Sequence, residues 1–188
     1  MRQQFYNIFV PFCKEQNNLK ERELRSGKGA LCIYKAVYFA FATFWGYYVL
    51  KDQDFLPKAL LGKGHFVKGF DGFPYTHHAP YLKEYFLITM GYHVGGLITH
   101  FFGTRRNDFV EMGLHHILSL YLYGGAYLYN FIEVGCVIAF LHDIADITTN
   151  IVKALAETKL KIPTAVVFII HMCIWFYTRN FLLPIYIY

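Results

Sequence analysis

Two apolar segments between residues 105 and 153 carry ionisable side chains that a hydrocarbon-like sequence would otherwise lack. Asp108, Glu111, His115 and His116 mark the first; His142, Asp143 and Asp146 mark the second. Imidazole works near neutral pH as a general base or as a covalent carrier. A carboxylate beside it orients the ring and stabilises the imidazolium. Histidines and aspartates together therefore point to proton or group transfer. The same residues admit two plainer readings. One is a polar network that only fixes helix packing. The other is a metal set, His115 or His116 with His142 and Asp146. The chain has no second His-x-x-His motif of the kind that richer metal clusters carry, so no metal is expected.

These groups need elements to position them. Asp108, Glu111, His115 and Ser119 follow i, i+3, i+7, i+11 and share one helix face; His142, Asp146, Thr149 and Lys153 make a similar stripe. His115 lies about 14 Å along its helix from Arg106, and His142 about 16 Å from Lys153, at a 1.5 Å rise per residue. If the two helices are antiparallel neighbours, histidines and aspartates meet at one level. Charged groups at such depth are expensive in a bilayer and mark a working site by default.

The rest of the chain supports a membrane setting. It has 188 residues, 55% hydrophobic and 20% aromatic, which exceeds the soluble norm and suits one domain. Apolar runs predict about five spans, near 30–50, 85–103, 109–123, 134–155 and 163–183, with Gly124 and Gly125 ending or loosening the third. The segment 1–28 reads as an amphipathic, then polar lead-in: Phe5, Ile8, Phe9 and Phe12 suit a short interfacial helix interrupted by Pro11. The pattern predicts no cleavable signal, although an organelle-targeting remnant fits as a second reading. Residues 51–80 form an aromatic loop expected along the interface. The net charge of +5 sits mostly in connecting segments. The lead-in, Arg105-Arg106 and Lys153-Lys159-Lys161 fall on one side, which the positive-inside rule makes the inner one. Cys13, Cys32, Cys136 and Cys173 are scattered, with no disulfide or metal-knuckle spacing. No nucleotide loop is present and basic residues are not interleaved for nucleic acid, so no nucleic-acid partner is expected.

The order Asp108-x-x-Glu111-x-x-x-His115-His116, then Asn130-x-x-x-x-Gly135, then His142-Asp143-x-x-Asp146, resembles the signature of ceramide synthases, the TLC-domain N-acyltransferases. Lys153, the Thr178, Arg179 and Pro184 of FYTRNFLLP, and the weaker IYKAVYF extend the resemblance from about Leu31 onward. Glu133 stands where the family usually carries arginine, and Asn150 where it carries glutamate.

The resemblance implies an all-α, polytopic transmembrane bundle of TLC type over 29–188, without the family's last span. It implies a catalytic centre of His115, His116, His142, Asp143 and Asp146, with the attacking histidine left open. Arg105, Arg106, Asp108, Glu111, Asn130, Lys153 and Arg179 become the expected substrate-binding residues. Lys159 and Lys161 join the two arginines at the inner mouth, either for coenzyme A phosphates or as ordinary topology-setting charges. The implied activity joins a fatty acyl-CoA to a sphingoid base, with acyl-CoA as co-substrate and no bound cofactor. Membrane lipids, and other membrane subunits or a second copy, are the further partners considered. The endoplasmic reticulum follows by resemblance. The alternative is a TLC-derived, non-catalytic accessory subunit of a larger complex, for example in the mitochondrial inner membrane, binding lipid or filling an interface.

Overall fold

A computed structural model describes residues 2–14, 17–103 and 109–187. The helices are α1 (Arg2–Phe9), α2 (Leu19–Leu50), α3 (Leu82–Phe102), α4 (Phe109–Leu128), α5 (Ile132–Ala156), α6 (Lys161–Trp175) and α7 (Leu183–Ile187). A π-helical turn, Phe176–Leu182, joins the last two. Among the described residues there is no strand, only isolated bridges such as Cys13 with Thr158. Leu19–Leu50 and the stretch Lys161–Tyr186 are long and apolar enough to cross a membrane.

The chain forms two compact units, Met1–Phe44 with Phe140–Tyr188, and Trp45–Ala139. In the first, small residues on α2 receive the amino-terminal segment. Ser26 and Ala30 are buried, and the Phe9 ring occupies the space that a Cβ at Gly29 would need. Cys13 is fully buried, and the backbone around it pairs with the α5–α6 turn: Lys14 N–H donates to Glu157 O at 2.8 Å, and Lys159 N–H to Phe12 O at 3.2 Å. Helix α2 begins well before the expected span. Its polar first turns are held by Glu21 and Arg25, an i, i+4 pair at 2.9 Å, so the boundary drawn at residue 28 falls inside one continuous helix. Arg25 donates to the carboxylates of Glu21 at 2.9 Å and Glu157 at 3.0 Å.

The second unit is built on Leu82, Tyr85 and Phe86 of α3, all fully buried, against Cys136 and Val137 of α5. Glycine permits the closest approaches: a Cβ at Gly46 would meet the Tyr85 hydroxyl, and one at Gly135 the Phe86 ring. The 51–80 loop is more than an interfacial strip. Phe55, Leu56, Leu60 and Phe66 are buried, and Gly64 and His65 N–H groups close it onto Leu56 and Asp54 carbonyls, each at 2.9 Å. Phe73 stacks on Phe131 with centroids 4.4 Å apart, which ties the loop to the α4–α5 turn.

That turn corrects the expected end of the third span. Helix α4 runs through Gly124 and Gly125 to Leu128. Glycine in a helix costs only about 1 kcal/mol relative to alanine, too little to stop a helix otherwise supported. The stop is Asn130, at φ 60°. Phe131 N–H donates to Ala126 O at 2.7 Å and Asn130 N–H to Tyr127 O at 3.3 Å, the paired bonds of a Schellman cap.

Candidate functional site

Each motif is described within its own unit. In the Trp45–Ala139 unit, α3 and α4 pack along their length. His93 and His100 stand two turns apart on α3 and meet α4 side chains. His93 lies 5.0 Å from the Tyr123 ring, and His100 lies 5.8 Å from the His116 ring, centroid to centroid. His100 Nε2 is 2.8 Å from the Phe109 carbonyl, and its ring stacks on Phe109 at 4.5 Å. Bonded to a carbonyl, that nitrogen must carry a proton, which fixes the tautomer. The His115 and His116 rings are 5.6 Å apart, with His115 exposed and His116 half-buried. Small residues make room: a Cβ at Gly96 would come within 3.0 Å of His116, and one at Gly113 within 3.3 Å of His100. The histidine pair thus has a third imidazole beside it. Its only sequence signal is the seven-residue spacing of His93 and His100.

Glu111 lies exposed in the first turn of α4. Asp108, Arg105 and Arg106 lie outside the described residues. Asn130 has its side chain fully engaged in the turn: its oxygen meets His78 Nε2 at 2.8 Å, and its amide donates to Pro74 O at 2.7 Å. His78 Nδ1 in turn lies 2.7 Å from buried Glu133. The Asn130–His78–Glu133 chain locks loop to turn, and sequence reading did not single out His78.

In the other unit, α5 presents His142 half-buried, Asp143 buried at 3% exposure, and Asp146 half-buried. Asp146 Oδ1 accepts from Arg179 Nη2 at 3.3 Å, and Asn150 donates to the Asp146 carbonyl at 2.7 Å. One turn on, Thr148 Oγ1 is 3.0 Å from His171 Nδ1 of α6. Lys153 is exposed in the last turn of α5. Arg179 sits within the π-helical turn, and Pro184 explains that turn. Proline lacks an N–H and its ring clashes with the carbonyl four residues back, so the helix ahead of it widens. Such bulges recur at functional sites because they re-aim side chains. Thr178 steadies the turn by donating to Ile174 O at 2.9 Å. Arg179 Nε is buried with no hydrogen-bond partner among the described residues, leaving a donor beside the Asp146 pair. No group of three or more His, Cys, Asp or Glu among the described residues is arranged to hold a metal ion.

The sequence profile described as the TLC domain matches residues 28–188. The chain belongs to the TLC-domain family. Its curated relatives include proteins named ceramide synthases and sphingosine N-acyltransferases. It is 27% identical to ceramide synthase hyl-1 of Caenorhabditis elegans over 85% of this chain and 42% of that protein. It is 26% identical to sphingosine N-acyltransferase lac1 of Schizosaccharomyces pombe, over 95% of this chain and 48% of the relative. Ceramide synthase LOH2 of Arabidopsis thaliana is 25% identical over 82% and 50%, respectively. The TLC chain therefore spans about half the length of these relatives or less. No solved structure matches it.

Proposed function

We propose that this TLC-domain protein is a membrane N-acyltransferase that joins a fatty acyl-CoA to a sphingoid base. The observation that carries the reading is the pair of intact motifs, Asp108 to His116 and His142 to Asp146, inside the region matched by the TLC profile. The chemistry asks for a base, a register and charge stabilisation. An imidazole from His115 or His116 removes the amine proton, or first takes the acyl group itself. In either order the new bond joins carbonyl carbon to nitrogen, the carbon–sulfur bond breaks, and coenzyme A leaves as the thiol with the proton. His142 serves as second base or orienter, and Asp143 and Asp146 stabilise imidazolium. Arg179 holds Asp146 and offers Nε toward developing negative charge. Arg105, Arg106, Asp108, Glu111 and Lys153 belong to substrate binding in this scheme.

In this reading α2 to α6 cross the bilayer as about five spans, with the basic connecting segments on the inner side. The endoplasmic reticulum is the proposed membrane. The test is purified protein in lipid nanodiscs, supplied with labelled acyl-CoA and sphinganine and read by mass spectrometry of the amide. Labelled amide that depends on the protein supports the reading. Folded protein that makes none with several acyl chains overturns it and leaves a non-catalytic lipid-binding subunit.

A further inference from the structure

A groove of about 570 Å³ opens at the end of the Met1–Phe44 with Phe140–Tyr188 unit where the chain turns from α5 into α6. Its walls are apolar: Val152 and Leu155 of α5 face Ala165 and Phe168 of α6. Its rim is cationic. Lys14, Lys159 and Lys161 line it, all three exposed. The backbone pairing of residues 12–14 with 157–159 brings the first lysine to the other two. Glu157, two residues before Lys159, is engaged by Arg25 at 3.0 Å, and none of the three lysines makes an ion pair among the described residues.

We propose that this groove binds an anionic glycerophospholipid, its phosphate among the three lysines and one acyl chain along α6. Phe168 is seven residues beyond Lys161, about 10 Å down the helix, which matches a headgroup at the surface and a chain below it. The hydroxyls that line the groove are already used, Thr158 on Leu155 O at 2.7 Å and Thr164 on Leu160 O at 2.5 Å. Nothing on the walls recognises a base or ribose, so the charge and shape fit a lipid better than coenzyme A. The inference rests on α6 lying in the bilayer and is independent of acyl transfer.

The test is native mass spectrometry of the full chain from micelles holding equal phosphatidylglycerol and phosphatidylcholine, with unmodified protein beside three variants. Retention of phosphatidylglycerol over phosphatidylcholine by at least about tenfold is expected, since each lysine near a membrane surface adds to the attraction for anionic lipid. Lys14→Glu, Lys159→Glu, Lys161→Glu together should abolish that preference, whereas Lys58→Glu with Lys63→Glu, at exposed positions in the 51–80 loop, should not. Ala165→Trp keeps every charge, fills the groove and should also lose the lipid, so it decides the matter if the triple variant fails to fold. Equal retention by unmodified protein and Ala165→Trp overturns the proposal. So does displacement of phosphatidylglycerol by equimolar free coenzyme A, which would make the groove a nucleotide site.

Discussion

The two motif-bearing helices carry their polar groups in different ways. On α4 the histidines sit in a hairpin of aromatic and small residues, where rings meet rings and His100 Nε2 donates to the Phe109 carbonyl at 2.8 Å. On α5 Asp143 is buried, and half-buried Asp146 is gripped by a guanidinium from a turn 33 residues away. One helix presents a ring pair whose outer member, His115, is exposed; the other holds a carboxylate by a guanidinium. That division suits a transfer reaction, in which the group that meets the substrate must adapt and the group that stabilises charge must not.

The largest effect should come from the adaptable side. Replacing His115 and His116 together by alanine should lower N-acyl transfer by about a thousandfold or more, the scale of a lost catalytic base. Because both lie on an exposed or half-exposed face, thermal unfolding should shift little. A large loss of stability with activity retained would reverse the assignment.

The fixed side should behave in the opposite sense. Arg179→Gln leaves Asp146 without its cation and should cost about 1–3 kcal/mol in stability as well as activity. Arg179→Lys should recover only part of either, since one ammonium cannot replace the guanidinium fork. A double-mutant cycle with Asp146→Asn would show whether the two act as a unit: additive losses would mean the 3.3 Å pair is incidental.

Two smaller changes sharpen the contrast. Asn130→Ala removes the left-handed cap and both side-chain bonds, and should lower stability by about 1–2 kcal/mol. Asn130→Gly should restore the backbone part alone. Denaturant unfolding of the two variants separates cap from side chain, and an equal loss in both would assign the whole effect to His78 and Pro74. His100→Ala should reduce turnover by about tenfold by loosening His116, whereas His93→Ala should do less. The measurement is turnover number against KM, since a positioning role moves the former.

The helical stretches were largely legible, because apolar runs and polar stripes repeat locally. The end of α4 was not. Gly124 and Gly125 looked like punctuation, but the Schellman bonds at Asn130 depend on backbone geometry that no single residue type announces. The compaction of the 51–80 loop was hidden for a related reason, since Phe73 finds Phe131 only after α3 and α4 have folded between them. Arg179 was legible as a candidate, yet its reach to Asp146 depends on the π-helical turn ahead of Pro184. His93 and His100 share a helix face at seven-residue spacing, which suits cavity lining or, more plainly, core histidines, and only the neighbouring α4 brings the His116 ring beside His100.

The most direct test of the central claim is N-acyl transfer from labelled acyl-CoA to sphinganine by three folded proteins side by side: the unmodified chain, His115→Ala with His116→Ala, and Asp146→Asn. If both motifs serve the transfer, the first makes labelled amide and each variant loses nearly all of it. Undiminished product from either variant would contradict that claim.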